Sequence, residues 1–325
     1  MTKVDVLTAG ETMMALRATG PVRLGSGFTT SVAGAESNVA IGLSRLGHTA
    51  AWAGRVGDDE AGHLVTRTLR AEGVDVSAVR RDGAAPTGLI MFEQRLPDVT
   101  RVRYLRDGSA GSRLDPADVA GLPAEPRIVH LTGITPALSA SCREAVTALC
   151  GLARARGARI SLDVNHRARL WTREAAAEAL APLAAAADLV IASPDELALV
   201  DPGGDPDGDP DGDPDGDPAR IAARLLDGGA TEVVVKDGGG ARSFTAGGTR
   251  TVPAHRVRPV DSVGAGDGFV AGYLSGVLDG LDAGERLRRA HTVGAFAVLS
   301  RGDWEGLPFR DELELIGLPE GAALR

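Results

Sequence analysis

The sequence predicts an α/β fold, one doubly wound domain on a mostly parallel sheet with a small β-sheet lid. Three observations carry this expectation. Short β-branched runs alternate with longer helical patterns along most of the 325 residues, the rhythm of successive βαβ units. The rhythm breaks once, where two strand-like runs flank Leu96-Pro97-Asp98 and read as an antiparallel hairpin. Near the C-terminus, Asp261-Ser262-Val263-Gly264-Ala265-Gly266-Asp267-Gly268-Phe269 places glycines where a long helical pattern begins.

In order, a strand is expected over 4–7, a helix over 36–46, a strand near 50–53 and a helix over 60–72. The hairpin takes 87–94 and 100–105, and the lid is expected from roughly 12–32 and 86–108. Alternation resumes with strand 127–131, helix 139–156, strand 158–164, helix 173–186, strand 188–191 and a short helix from Pro194. Residues 201–218 read DPGGDPDGDPDGDPDGDP. With no apolar residue to bury, this run cannot offset its ordering entropy and is expected to be a mobile surface loop inserted into a single domain spanning 1–325. One frame of it, Asp207, Asp209, Asp211 and Gly212, imitates a calcium loop, but Pro218 stands where a bidentate Glu is required. Helix 221–227, strand 231–236, a hairpin over 241–252 and helices 265–278 and 285–299 complete the chain.

A formal charge of −9 argues against a standing electrostatic hold on nucleic acid or anionic lipid, which need clustered Lys and Arg. The apolar run over 175–191 is interrupted by Glu178, Pro182 and Asp188, so no membrane span is expected. The N-terminal MTKVDVLTAG has no long apolar core, so no secretion signal and a cytoplasmic location are expected. Cys142 and Cys150 share one helical pattern, which sets them ~12 Å apart, too far for a disulfide.

With 43 glycines in the chain, chance glycine motifs are common, so spacing carries the functional argument. Gly264, Ala265 and Gly266 mark a helix N-terminus free of side-chain bulk, where unpaired N–H groups and the helix dipole suit a phosphoryl group. Asp267 lies at its edge, and in that field its carboxylate is expected to stay ionised and to accept a proton from an attacking hydroxyl. The same pattern also suits an Asp/Gly-rich helix cap without chemistry. No G-x-x-x-x-G-K-[ST] segment is present, so the P-loop route is excluded, and no G-x-G-x-x-G opens the first βα unit as in a dinucleotide dehydrogenase.

The segment Asp261–Asp267 resembles the D-T-x-G-A-G-D signature of the ribokinase-like (PfkB) carbohydrate kinases, with Ser262 keeping the hydroxyl of the Thr. A second family motif is Gly34-Ala35-Glu36-Ser37-Asn38-Val39-Ala40, followed by Leu43-Ser44-Arg45-Leu46-Gly47 and Gly54-Arg55-Val56-Gly57-Asp58-Asp59. The resemblance runs from about Val4 to about Pro308. It implies a ribokinase-like three-layer α/β/α sandwich, ATP and Mg2+ as cofactors with room for a monovalent cation, Asp267 as base and the turn Gly264, Ala265 and Gly266 as anion hole. It also implies that the strand and turn Val233 to Ala241 carry ATP, with Lys236, Gly238 and Gly240 as contacts, and that Asn165, Arg167 and Ser193 join them. Ser193 stands where relatives have the Asn of N-x-x-E. Glu196 keeps the acidic position and is the candidate for organising metal-bound water. His291 is placed near the adenine, a buried or capping histidine being the other reading.

At the sugar end, the resemblance puts Gly34, Ala35 and Asn38 against the substrate, while the absence of G-K-G-x-N disfavours ribose and, weakly, adenosine. Within the family, Val102 to Ser112, Asp163-Val164-Asn165-His166-Arg167 and Arg301 to Pro308 are similar to the 2-keto-3-deoxygluconate kinases. That likeness implies Tyr104, Arg106, Arg167 and Asp303 as substrate contacts, with Ile90 standing where the subgroup has a Tyr. A guanidinium fork matches a carboxylate, so Arg106 and Arg167 are the candidates for the acid end. Arg103 and Arg106 also suit plain solvated strand residues. The expected activity is ATP-dependent phosphorylation of a terminal sugar-acid hydroxyl, against a fructokinase-like alternative and a non-enzymatic sugar sensor. Exposed hairpin strands suggest a homo-oligomer.

Overall fold

A computed structural model describes residues 2–18, 20–96, 99–120, 122, 124–203 and 217–317. The chain runs β1 (Thr2–Ala9), β2 (Met13–Ala18), β3 (Phe28–Ala33), α1 (Ala35–Arg45), β4 (Ala50–Gly57), α2 (Glu60–Ala71), β5 (Val79–Asp82), β6 (Leu89–Leu96) and β7 (Val99–Leu105). There follow α3 (Pro116–Ala120), β8 (Ala124–Thr132), α4 (Ile134–Leu138), α5 (Ala140–Ala155), β9 (Arg159–Asp163), α6 (Arg173–Ala186), β10 (Leu189–Ala192) and α7 (Pro194–Leu197). The last elements are α8 (Pro218–Asp227), β11 (Glu232–Asp237), the hairpin β12 (Gly240–Thr245) and β13 (Gly248–Pro253), α9 (Ala265–Leu278) and α10 (Ala283–Val298).

Nine strands form the main sheet in the order β13-β12-β11-β10-β9-β8-β1-β4-β5, parallel from β11 to β5 and antiparallel through the β12–β13 hairpin. Buried residues alternate between its two faces. Val233 and Val235 join Val119, Val146, Leu180 and Ile221 under α3, α5, α6 and α8. Val234 turns the other way, with Val39, Leu69, Val270 and Leu287 of α1, α2, α9 and α10. The result is the expected three-layer sandwich. Helix starts are set locally: Asp59 accepts the Gly62 N–H (2.8 Å), Ser139 the Cys142 N–H (3.1 Å), and Asp282 with Glu285 forms a reciprocal box on α10.

A separate sheet of order β3-β2-β6-β7 combines two antiparallel ladders, β2/β3 and β6/β7, joined by parallel β2/β6 pairing. Strand β5 was not expected. It is four residues long, V-R-R-D, and is held at the sheet edge by β4, so it lacks an apolar run of its own. Helices α3 and α4 are too short for a period to show. The Pro97-Asp98 turn and residues 204–216 of the Asp/Pro/Gly run, with the calcium-loop imitation, lie outside the described residues. Both cysteines lie on α5, buried and unbonded. No helix of the described residues is long and apolar enough to cross a membrane.

One contact in this packing positions the site. A Cβ on Gly42 of α1 would lie 2.7 Å from Cβ of Ala271 on α9, so the two helices touch at a distance that excludes side chains. One turn before each contact residue, Asn38 Nδ2 donates to Asp267 Oδ2 at 2.7 Å. Replacement of Gly42 by Leu is expected to lower unfolding stability by about 1–3 kcal/mol through overpacking, although Leu is the better helix former. Urea denaturation measures it, and an unchanged midpoint refutes the contact's importance.

Candidate active site

The main sheet reverses its winding at β1: β4 lies on one side and β8 on the other. A crevice outside the carboxyl ends of the strands is the consequence of such a switch. There the structure has a cavity of about 1460 Å³, lined by Glu11, Ile134, Asn165, Ser193 and Gly238 from the ends of β1, β8, β9, β10 and β11. Helices α9 and α10 and the small sheet supply its other walls.

At one end, Gly264 adopts φ +77°, and a Cβ there would fall 1.8 Å from the Asp303 carbonyl oxygen. Only glycine satisfies both demands. The Gly268 N–H donates to the Gly264 carbonyl at 2.9 Å, so the amides of Ala265, Gly266 and Asp267 precede the first intrahelical bond and have no acceptor within the helix. Lys236 Nζ is the nearest heavy atom to where a Gly266 Cβ would stand, at 3.8 Å. The same ammonium donates to Asp163 Oδ1 at 2.9 Å. Burial opposes its charge, but Asp163, Glu196 and Asp267 outweigh that and raise Lys236 above its ordinary value. Asn165, whose amide reaches Asp163 at 3.2 Å, is held at φ 38°, a left-handed conformation that Asn tolerates better than most residues.

Asp267 departs from the expectation that it stays ionised. It keeps a partial opening to the cavity, yet the surrounding protein desolvates it and pushes its carboxyl up to about 7. The Asn38 hydrogen bond, Arg167 and Lys236 pull downward, and the Asp163 carboxylate adds to the rise. A helix N-terminus taken alone favours the anion; burial and a second carboxylate reverse the balance.

Glu196 accepts the N–H groups of His166 and Ser193, both at 2.9 Å, so its two oxygens brace the β9 and β10 ends. Ser193 Oγ donates to Asp195 at 2.6 Å. No group of three or more His, Cys, Asp or Glu among the described residues forms a metal cage. The residues present would suit a Mg2+ ion held chiefly by nucleotide phosphate oxygens and water, for which Glu196 on the cavity wall is the candidate acidic side chain. His291 is buried, with Nε2 3.1 Å from the Val252 carbonyl and its ring edge-on to Phe269 at 5.2 Å. It lines the cavity, as Lys236 and Gly238 do. Gly240 does not. It opens β12, where a Cβ would meet the Val252 carbonyl at 2.7 Å, so its role is to let the hairpin close.

The same cavity is also lined by Gly34, Ala35, Asn38, Ile90, Tyr104, Arg106, Arg167 and Asp303. Asn38 Oδ1 is buried with no hydrogen-bond partner among the described residues. Ile90 is buried in an apolar cluster with Met13, Ala15, Ala33 and Phe92. Arg106 stands one residue beyond the end of β7 and pairs with Glu11 at 2.5 Å, its guanidinium 5.6 Å over the Tyr104 ring. Glu11 is wedged there: Cβ atoms on Gly88 and Gly111 would fall 2.7 and 2.4 Å from its side chain, and Ser109 donates to it. The expected acid-binding arginine thus already has an internal counter-ion, while its buried Nε has no hydrogen-bond acceptor among the described residues. Asp303 accepts from Arg17 Nη2 at 2.8 Å, and burial pushes its carboxyl up to about 7 against the pull of Arg17. Sequence reasoning missed Glu11 and Arg17, both brought in by pairing across the fold. Only Glu11 had a local signal, in Gly10-Glu11-Thr12 directly after the first strand.

A family model described as pfkB family carbohydrate kinase matches residues 3–310. The 2-dehydro-3-deoxygluconokinase of Bacillus subtilis is 36% identical over 324 residues, covering 96% of this chain and 94% of the relative. The fructokinase of Escherichia coli is 36% identical over 290 residues, covering 86% and 90%. An Escherichia coli protein solved in complex with ATP and Mg2+ superposes with a TM-score of 0.83 at 25% identity, covering 96% of this chain and 98% of that one.

The raised carboxyl of Asp267 has a stability signature. Its folded value of about 7 exceeds the ordinary ~3.9 of an unfolded Asp, so the folded state holds the proton more tightly and loses stability as pH rises from about 4 through 7. Asp267→Asn lacks that loss. Its melting temperature relative to wild type is expected to climb by at least roughly 2 °C between pH 4 and pH 8, and a difference that stays flat with pH refutes the raised value.

Proposed function

The chain belongs to the pfkB family of carbohydrate kinases, and from that premise we propose that it transfers the γ-phosphoryl group of ATP to a terminal hydroxyl of 2-keto-3-deoxygluconate or a similar sugar acid. The observation that carries the acid is the buried Arg106 Nε, a charged donor in the cavity with no acceptor among the described residues, which a ligand carboxylate satisfies. Arg167, exposed and lining the same cavity, adds a second cation. The Bacillus relative's name points to the same compound.

In the proposed reaction the acceptor hydroxyl gives its proton to the Asp267 carboxylate while its oxygen bonds to the γ-phosphorus. The bond from that phosphorus to the β–γ bridging oxygen breaks, and ADP leaves. The open amides of Ala265, Gly266 and Asp267, with the Lys236 ammonium beside Gly266, stabilise the charge on the transferring group. Mg2+, when bound with the nucleotide, would supply neutralisation of phosphate charge, and Glu196 is the residue that would reach it through water. Asn38 orients the base through its 2.7 Å hydrogen bond, and its unpartnered Oδ1 accepts from a sugar hydroxyl. The small sheet acts as a lid: Met13, Ala33, Ile90, Phe92 and Val102 present an apolar wall to the cavity that excludes competing water.

The Glu11–Arg106 pair at 2.5 Å favours one second reading, a fructokinase-like enzyme, because a guanidinium already neutralised has less to offer an acid. ADP release with 2-keto-3-deoxygluconate, fructose, ribose and adenosine separates the two. The sugar acid is expected to be turned over best, with Arg106→Met raising its KM at least tenfold more than that of fructose, about 1.4 kcal/mol. A higher kcat/KM for fructose, indifferent to Arg106, moves the enzyme to the second reading. Asp267→Asn is expected to lower kcat by about 10²–10⁴-fold with every acceptor, and the wild-type kcat/KM to rise with pH as a group near 7 ionises. Activity retained in Asp267→Asn removes that residue from the chemistry.

A further inference from the structure

Among the polar contacts between the small sheet and the rest of the protein, one side chain makes two with carboxylates. Arg17, on β2, sends Nη1 to Asp261 Oδ2 at 3.1 Å and Nη2 to Asp303 Oδ1 at 2.8 Å. Its guanidinium is stacked on the Phe92 ring of β6, 3.8 Å from the centroid. Beside it, Trp304 Nε1 donates to the Val32 carbonyl of β3 at 3.0 Å, and Ser31 Oγ donates to Glu305. Across the cavity, Arg169 Nη1 reaches the Val102 carbonyl of β7 at 3.3 Å.

The two carboxylates that Arg17 grips belong to the phosphate end. Asp261 lies three residues before Gly264, and the Asp303 carbonyl is the atom against which Gly264 packs. One guanidinium therefore ties the sheet over the cavity to both flanks of the turn that starts α9. A planar fork bonded to two carboxylates and stacked on an aromatic ring has little freedom left, so the geometry is fixed before any ligand binds.

We infer that Arg17 is a positioning residue: it latches the small sheet to Asp261 and Asp303 and holds the Asp303 carboxylate aimed at the hydroxyls of the acceptor sugar. This rests on the proposed role of Asp303 in sugar binding. The electrostatics around Asp303 agree. The other charged groups acting on it, Asp267 from α9, Glu305 from its own loop and Asp261 from the loop before α9, are carboxylates that raise it, and Arg17 is the cation that lowers it. Without Arg17, Asp303 becomes protonated at higher pH and loses its capacity as a two-oxygen acceptor.

The test compares Arg17→Gln and Arg17→Lys with wild type in acceptor and ATP kinetics from pH 6 to 9, and in amide hydrogen exchange of the free protein. Arg17→Gln is expected to raise the acceptor KM about tenfold, the loss of one charged hydrogen bond, while ATP KM changes less than about twofold. The acid limb of kcat/KM moves to higher pH, exchange over residues 13–18 and 28–33 accelerates, and Arg17→Lys regains part of each effect. Acceptor and ATP KM rising together, or accelerated exchange with an unchanged acceptor KM, overturns the inference, as does no change in either. If Arg17→Gln does not fold, Asp261→Asn cuts the same latch from the other side. If wild type turns over none of the acceptors, the proposed activity fails while exchange still decides whether Arg17 holds the sheet.

Discussion

The seat of Gly264 against the carbonyl of Asp303 is the constraint on which the rest of the site depends. A Cβ at position 264 would fall 1.8 Å from that oxygen, on a backbone already at φ +77°. Because no side chain fits, the N-terminus of α9 and the 301–305 loop are brought into direct backbone contact. The open amides of α9 then point into the cavity from a fixed place. The carboxylate of Asp303 hangs from the same junction, and Arg17 carries the connection to the small sheet. Gly42 repeats the device one layer away by letting α1 touch α9, which brings Asn38 to Asp267.

Around this junction the protein buries several carboxylates and distributes their partners unequally. Asp163 has Lys236, Glu11 has Arg106 and Asp303 has Arg17. Glu36 accepts from the hydroxyls of Thr132 and Thr135, and burial raises its carboxyl. Asp267 is bonded to the neutral amide of Asn38, with its cations, Arg167 and Lys236, acting at longer range. A neutral partner and burial leave Asp267 near 7, where a general base is useful at ordinary pH.

The parts legible in the sequence were those whose causes are local. The α9 start shows in Gly264, Gly266 and Asp267 because helix N-termini and glycine turns are properties of a few adjacent residues. The βαβ rhythm shows because the sheet buries both faces and each crossing helix has its own period. The placement of Gly240 was not legible for the complementary reason. Whether a turn glycine faces a cavity or lets a hairpin close depends on where the hairpin lies, and β12 turns this one toward β13. Strand β5 was invisible because a four-residue edge strand takes its conformation from its neighbour.

By itself, then, the sequence determined the doubly wound architecture, the glycine-rich start of α9 and the carboxylate beside it. Only the tertiary structure decided the charge state of that carboxylate, the pairing of Arg106 with Glu11 and the grip of Arg17 on Asp303, two residues 286 positions apart. The physical reason is one of range. Dihedral preference and hydrophobic period act over a few residues, whereas desolvation and Coulomb interaction depend on what the finished fold brings within a few ångströms.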